Sequence, residues 1–324
     1  MKDMSDTKPM ILTVAERIDD RGDIMQLTLT GDGPLPAFAA GAHVDLLVET
    51  PEGPLWRQYS LCGDPAETGC YRLGILKDPA SRGGSAALHQ LLRAGETVHV
   101  EGPRNHFPLA PDAERSVLFG GGIGVTPMLA MARELHAAGA EFTLHYATRS
   151  AARTAFLDLI ATLPFRDRIV LHHDDGGAAG PLDLARDLPP PAPGTHLYVC
   201  GPQGFMDWVI GAAETAGYPG TRIHREYFSA EVDTGGAGFE VECAQSGVTV
   251  TVGPEDTIAK ALARAGVKIE VKCEEGICGT CVTDVIEGGI DHRDQFLTEE
   301  EREDGDQICA CCSRASGAKL VLDL

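Results

Sequence analysis

The 324-residue sequence predicts a multidomain chain with three unlike modules in series: an antiparallel β-barrel, an α/β domain on a parallel sheet, and a small α+β domain of the β-grasp kind. Three observations carry this expectation. Short β-prone runs separated by turns fill the start, strands alternate with helices in the middle, and a hairpin, a helix and a cysteine-rich loop make up the end. The length agrees, because at roughly 100 to 200 residues per domain a single core is too few. Two composition breaks set the boundaries: one at residues 108–115, the other at 231–238, where EVDTGGAG is Gly-rich and poor in apolar residues. The expected domains are residues 1–110, 111–230 and 238–324, with 231–237 as a flexible linker.

In the first module, residues 28–30, 43–48, 57–61, 71–76 and 97–100 are short β-prone runs. Turns such as Gly31-Asp32-Gly33-Pro34 and Pro51-Glu52-Gly53-Pro54 punctuate them, a spacing that suits a barrel or sandwich. In the second, the strand 117–119 runs into glycines, and a helix then starts at Pro127, carrying Met128, Leu129, Met131 and Leu135 to a stop near Gly139. Strands at 142–146, 169–172 and 196–200 alternate with helices at 155–163 and 205–216, the pattern of a parallel sheet covered on both faces. The third opens with strands 239–243 and 248–252 around a Gln245-Ser246-Gly247 hairpin signal. A helix over 257–265, the cysteine-rich loop and a strand at 320–322 complete it.

Charge and composition exclude several classes. Forty-eight acidic against 27 basic residues give a net charge of -21, which argues against binding nucleic acid through its phosphates. The first ten residues are polar and lack the apolar core of a secretory signal. The longest apolar stretch, 117–132, is too short for a membrane span and contains four glycines and a proline. A cytoplasmic protein is expected, and in a reducing compartment its 10 cysteines read as metal ligands or buried thiols rather than disulfides.

Six of those cysteines fall in the last 52 residues, and three have the most specific spacing in the chain. Cys273, Cys278 and Cys281 form C-x4-C-x2-C, with a further cysteine about 30 residues on, the plant-type pattern for a 2Fe-2S cluster. One loop must supply three thiolates and aim backbone N-H groups at the sulfurs. Gly276 and Gly279 give that backbone its freedom. A zinc ribbon would pair two C-x2-C knuckles, and here only Cys278 and Cys281 have that spacing.

CEEGICGTCVT, DHRD at 291–294, QICACCSRA at 307–315 and the closing LVLDL resemble the C-terminal ferredoxin domain of the phthalate dioxygenase reductase family, to which vanillate O-demethylase reductases and related iron-sulfur flavoproteins are similar. The resemblance runs through all three modules. In that family the fourth ligand stands two residues before a serine. This implies Cys311 before Ser313, with Cys309 and Cys312 as the other candidates. Alternation in an extended segment would put Cys309 and Cys311 on one face and Cys312 on the other.

Arg57-Gln58-Tyr59-Ser60-Leu61 fits the R-x-Y-S pattern of the family's flavin barrel. Arg57 can pair with a flavin phosphate, Tyr59 offers a flat face, and Ser60 can hydrogen-bond near the flavin N5. Ser81-Arg82-Gly83-Gly84-Ser85 precedes a helix expected from Ala86, so the amides of Gly83 and Gly84 and the Ser85 hydroxyl can hold a phosphate. Ile75, Leu76 and Lys77 would lie along the flavin. The resemblance favours FMN over FAD, because similar proteins place the terminal phosphate in the GGS loop and use no adenosine half.

Residues 120–127, GGGIGVTP, link a strand to a helix, where Gly122, Gly124 and Thr126 can meet a pyrophosphate. The loop is neither a Walker A motif nor a strict Rossmann fingerprint, and GGIGxTP instead looks like the nucleotide domain of the ferredoxin reductases. Cys200-Gly201-Pro202 matches that family's C-G-P turn beside the nicotinamide, and Phe228 matches the aromatic stacked on the flavin. Asp174 and Asp175 are candidates for the adenosine ribose. A metal at His172 and His173 is disfavoured, since the nearby sequence completes no ligand set.

The resemblance implies an electron-transfer reductase in which NADH reduces FMN and FMN reduces a 2Fe-2S cluster. Ser60, Cys200 and Phe228 would stand at the hydride-transfer site. The expected partner is a Rieske-type aromatic oxygenase or O-demethylase component, with a cytochrome P450 or diiron hydroxylase as the alternative acceptor and a non-catalytic cluster-bearing protein as the rival from another class. A monomer is expected. From Gly238 to Leu324 there are 18 acidic and 8 basic residues, net -10, a charge suited to docking on a basic patch.

Overall fold

The computed structural model describes residues 9–50, 53–79, 83–177, 180–229 and 232–324. Two compact units make up the chain, Met1–Phe228 and Ser229–Leu324. The first begins with strands β1 (Met10–Asp19), β2 (Ile24–Thr30), β3 (Ala42–Thr50), β4 (Gly53–Ser60) and β5 (Tyr71–Leu76), then helix α1 (Gly84–Leu91) and β6 (Thr97–Asn105). They form an antiparallel sheet in the order β4-β3-β6-β1-β2-β5. A bridge from Leu61, just past β4, to Leu73 of β5 joins the two edges and curls the sheet into a barrel. Inward residues Leu12, Leu27, Leu46, Tyr71, Leu73 and Val100 fill it. The sequence pattern missed β1 altogether and caught only residues 28–30 of β2; in β1 Ile11 and Ile18, 62% and 45% exposed, break the alternation.

The chain continues through β7 (Arg115–Gly121), α2 (Val125–Ala137), β8 (Glu141–Thr148), α3 (Leu157–Thr162), β9 (Ile169–His173), α4 (Leu184–Asp187), β10 (Thr195–Cys200), α5 (Gln203–Ala216) and β11 (Ile223–Glu226). The five strands are parallel, in the order β11-β10-β7-β8-β9. Alternation divides their side chains between two covered faces, as the apolar runs predict. Leu118, Leu144 and Tyr146 meet Met128, Leu129 and Leu135 of α2, while Val117, Phe119 and Val199 meet Met206, Val209 and Ala213 of α5.

The α2 core also takes in Ile24, Ala40, Cys62 and Phe107 from the barrel, so barrel and parallel sheet share apolar packing. Polar bonds reinforce the seam: the Ala40 N-H donates to Glu134 at 2.8 Å, and the Phe156 N-H donates to Asp20 Oδ2 at 2.7 Å. Phe156 holds a left-handed φ of 64°, and its ring lies where a Cβ on Gly74 of β5 would come within 2.6 Å. Glycine at 74 lets the two layers approach.

The second unit contains β12 (Phe239–Cys243), β13 (Thr249–Val252), α6 (Ile258–Arg264), β14 (Val282–Glu287), β15 (Ile290–Asp291), α7 (Glu299–Asp304), β16 (Gln307–Cys309), β17 (Arg314–Ala315) and β18 (Lys319–Leu322). A mixed sheet, β13-β12-β18-β14-β16, packs against α6 through Ile258 and Leu262. Thr257 caps α6, and Thr298 with Glu301 forms a capping box on the acidic α7. Much of the Gly-rich segment expected to be flexible is tied down. The buried Arg314 donates to the carbonyls of Thr234, Ala237, Gly253 and Asp256, and Arg293 donates to those of Asp233 and Gly235. Glu231 lies outside the described residues.

Asp20 gives a stability test of the seam. Asp20→Ala leaves the Phe156 N-H without its acceptor, and an unsatisfied buried donor costs about 1–3 kcal/mol. Urea unfolding should show a loss of that order, with Asp20→Asn recovering part of it; unfolding curves matching the parent protein would show that the bond adds nothing.

Candidate functional site

The seam brings the ends of β4, β10 and β11 together. Ser60 closes β4 and is buried, and its hydroxyl donates to Glu226 Oε2 at 3.1 Å. Glu226 pairs in register with Cys200 at the end of β10. Burial pushes the Glu226 carboxyl up to about 8, and the Ser60 hydrogen bond opposes the shift. Since an unfolded carboxyl titrates near 4.5, the folded chain holds this proton more tightly, and stability falls as pH rises between the two values. Burial, with the Glu226 charge adding to it, holds the Cys200 thiol well above its ordinary range. Glu226 had no sequence signal beyond its place beside Phe228. Its strand pairing with Cys200 reveals it.

Arg57 and Tyr59 share a face of β4, and Tyr59 packs against the barrel core. Burial pushes its phenol up, so it remains a neutral donor. Arg57 lies against the start of α1: a Cβ on Gly84 would come within 2.9 Å of Arg57 Nε. Gly83 holds φ 87° at the N-cap, and the Ser85 hydroxyl accepts from the Asp78 N-H at 3.2 Å. A guanidinium beside a helix N-terminus is an anion cradle. The helix starts at Gly84, two residues earlier than expected, while Ser81 and Arg82 lie outside the described residues. The Gln58 amide is committed to Asp45 at 2.8 Å, the Ile75 side chain belongs to the barrel core, Leu76 packs at the seam, and Lys77 is exposed.

The glycine turn after β7 is shaped by close approach. A Cβ on Gly124 would meet the Cys200 carbonyl oxygen at 2.3 Å, one on Gly120 would meet Val125, and one on Gly121 would meet Phe205. Gly122 holds φ 55° facing open space, and the buried Thr126 hydroxyl donates to the Ile123 carbonyl at 2.9 Å. The Cys200-Gly201-Pro202 turn therefore packs on the Gly122–Gly124 turn at the N-terminus of α2, with Pro202 capping α5. Phe228 is half-buried against the seam core. Asp174 and Asp175 are exposed, and their amides bond to the carbonyls of Thr148 and Arg149, so the acidic pair stands next to Arg149 at the carboxyl edge of the sheet.

In the second unit six buried thiols meet in two loops. Cys311 interacts with both Cys273 and Cys281, and Cys273 with Cys278. Cys309 reaches Cys281 among the three loop thiols, and Cys312 turns toward the Cys309 carbonyl and Ser313. Backbone N-H groups of Glu275 and Ile277 point at Cys273, that of Thr280 at Cys278, and that of Cys311 at Cys281, as thiolates on a cluster require. Gly276 and Gly279 hold φ near 70°, and a Cβ there would strike Cys312 Sγ or the Phe296 ring. The donor set fits a 2Fe-2S group. The expected alternation does not apply: β16 ends at Cys309, and the N-H groups of Cys312 and Ser313 fold back to its carbonyl in a turn. Asp294, the buried last residue of the DHRD motif, ties its own segment to the second thiol loop by accepting from Ser313 Oγ and from the N-H groups of Phe296 and Leu297, while the neighbouring Gln295 N-H donates to the Gly276 carbonyl of the first loop at 2.9 Å.

A barrel with an anion cradle, a nucleotide-type parallel sheet and a thiol-lined β-grasp unit define an iron-sulfur flavoprotein oxidoreductase. Residues 241–316 match the family model of the 2Fe-2S iron-sulfur cluster binding domain. Vanillate O-demethylase oxidoreductase of Pseudomonas sp. (strain HR199 / DSM 7063) is 49% identical over 90% of this chain and 92% of its own. Phthalate dioxygenase reductase, described as a modular structure for electron transfer from pyridine nucleotides to 2Fe-2S, superposes with TM-score 0.72 at 37% identity, covering 98% of both chains. An intact type IV self-sufficient cytochrome P450 monooxygenase superposes with TM-score 0.86 at 39% identity, over 98% of this chain and 41% of that one. The chain belongs to the family of oxygenase reductases that includes vanillate O-demethylase oxidoreductase and phthalate dioxygenase reductase.

The thiol contacts generate a graded test. Cys311→Ser should destabilise or lose the cluster and abolish cytochrome c reduction while sparing direct NADH-to-ferricyanide activity. Cys309→Ser and Cys312→Ser should keep the visible spectrum and the reduced-state EPR signal; loss in Cys309→Ser with retention in Cys311→Ser would reassign the fourth ligand.

Proposed function

We propose that the chain is the NADH-dependent reductase component of a two-component Rieske-type aromatic oxygenase or O-demethylase, carrying electrons from NADH through FMN and a 2Fe-2S cluster to the oxygenase. The observation that carries this proposal is the convergence of Ser60, Glu226 and Cys200 on one seam, in a chain whose other unit gathers the thiols. The likeness to vanillate O-demethylase oxidoreductase over nearly the whole chain supports the acceptor class. A cytoplasmic monomer accords with the proposal; among the described residues no helix is long and apolar enough to cross a membrane.

When bound, NADH supplies a hydride, FMN accepts the pair and can release electrons singly, and the cluster carries one at a time. The chain's part is to bind and orient. Arg57 and the amides of Gly83 and Gly84 hold the terminal flavin phosphate, and Tyr59 gives the ring an apolar wall. Gly122, Gly124 and Thr126 let the start of α2 meet the nicotinamide nucleotide's pyrophosphate. The Cys200-Gly201-Pro202 turn would lie beside the nicotinamide, and Phe228 would offer its ring to the flavin. Glu226 keeps its proton at neutral pH, so Ser60 would meet the flavin without a carboxylate charge behind it. Cys273, Cys278, Cys281 and Cys311 hold the cluster. The likeness to the self-sufficient cytochrome P450 monooxygenase favours one second acceptor, a cytochrome P450.

Asp174 and Asp175 set the nucleotide preference. A 2'-phosphate beside them would meet like charge, and one pKa-unit equivalent of repulsion, about 1.4 kcal/mol, is a factor of about ten. NADH should therefore support cytochrome c reduction with kcat/KM on the order of tenfold above NADPH. Asp174→Asn with Asp175→Asn should narrow the gap; equal kcat/KM in the parent protein would show that Arg149 governs this edge instead.

A further inference from the structure

The parallel sheet carries two histidine pairs across neighbouring strands that electron transfer leaves unused. In one, His145 Nδ1 of β8 lies 3.0 Å from His172 Nε2 of β9. The rings are stacked with centroids 5.2 Å apart, and Phe119 stacks on His145 at 5.0 Å. Both histidines are buried, at 6% and 1% exposure. The remaining ring nitrogen of His172, Nδ1, is buried without a hydrogen-bond partner and lies 3.9 Å from Asp187 Oδ2 on α4. The Pro181 carbonyl acts on this ring and opposes the lowering of its pKa. Among the described residues, His145, His172 and Asp187 form one group whose ligand atoms all lie within 4.8 Å of one another.

Two imidazoles that meet nitrogen to nitrogen can share either a proton or a cation. Burial holds both rings below their ordinary pKa, His145 down to about 4, so at neutral pH they are uncharged and carry the lone pairs that a metal needs. Asp187 adds the negative charge. Its present partners are the Asp183 N-H and the Arg186 guanidinium, and Arg186 is 55% exposed and free to turn into solvent. Zinc takes nitrogen and oxygen at about 2.0–2.2 Å, so the two rings, 3.0 Å apart nitrogen to nitrogen, must part slightly and tilt toward a common point, and the Asp187 carboxylate must close in from within 4.8 Å. We propose that His145, His172 and Asp187 form a binding site for a divalent transition-metal ion of the zinc class, with water completing the coordination. The ion would tie β8 and β9 to α4. Because His172 stands two residues before Asp174, it would also steady the strand end that carries the acidic pair.

The second pair is a built-in control. His196 Nδ1 meets His224 Nε2 at 2.9 Å, but the carboxylate there, Asp112, is 79% exposed. The test uses the holoprotein, with its cysteine site filled, equilibrated with Zn2+ and freed of excess by gel filtration. Metal analysis should find about one zinc per chain above the level in His172→Ala and Asp187→Asn. His196→Ala should match the parent protein, and zinc-edge absorption should show nitrogen and oxygen neighbours only. Circular dichroism checks folding, and Asp187→Asn, on the partly exposed α4, keeps the test informative if His172→Ala unfolds. Zinc uptake equal in parent and variants, no uptake by the parent, or sulfur neighbours at the edge would overturn the proposal.

Discussion

The hydrogen bond from Ser60 to Glu226 joins residues 166 positions apart in sequence, and the first unit's candidate chemistry depends on it. It spans the seam between a barrel strand and the edge strand of the parallel sheet. Such a contact holds only if both frames are rigid and share packing. The α2 core provides that, running from Met128 and Leu129 through Phe156 to Ile24 and Phe107. Gly74 and Gly124 contribute by what they lack, since a methyl group at Gly74 would push the layers apart and one at Gly124 would strike the Cys200 carbonyl. Low local polarity follows from the same closure, and it keeps a proton on Glu226 at neutral pH.

The second unit meets a different constraint. Four thiolates and a cluster carry concentrated negative charge, so its loops must turn N-H groups inward and exclude bulky side chains. Gly276 and Gly279 permit the turns, while Asp294 holds Ser313 of the second loop and the Gln295 N-H holds the Gly276 carbonyl of the first. The clasp of Arg293 and Arg314 on residues 233–237 fixes where this unit's folded body begins. Its acidic α7 is stabilised internally by the Thr298 and Glu301 capping box, leaving charged groups exposed to the surroundings.

What was legible in the sequence follows from how locally each feature is determined. The C-x4-C-x2-C loop and the glycine turn at 120–124 need particular residue types at short spacing, so they could be read directly, whereas the R-x-Y-S strand took its meaning from the family resemblance. The Ser60–Glu226 contact could not, because a carboxylate at a strand end looks like any solvated residue until the fold buries it. His145 and His172 were separated for the same reason, 27 positions apart but face to face across adjacent strands. At Cys309–Cys312 a strand pattern was read where the chain turns, since alternation cannot tell an extended tetrapeptide from a tight turn. The Gly-rich 233–237 stretch looked free because its partners, Arg293 and Arg314, stand roughly 60 to 80 residues later.

The most direct test of the account is the pH dependence of flavin reduction by NADH, followed in a stopped-flow instrument in the parent protein and in Glu226→Gln. Above about 8 the parent carboxyl loses its proton and places a negative charge behind Ser60, where the proposed function places the flavin. The rate in the parent protein should fall as pH rises through that value, while Glu226→Gln, which cannot ionise, should stay level across the same range. Identical pH profiles for the two proteins would contradict the claim that this buried carboxyl controls flavin reduction.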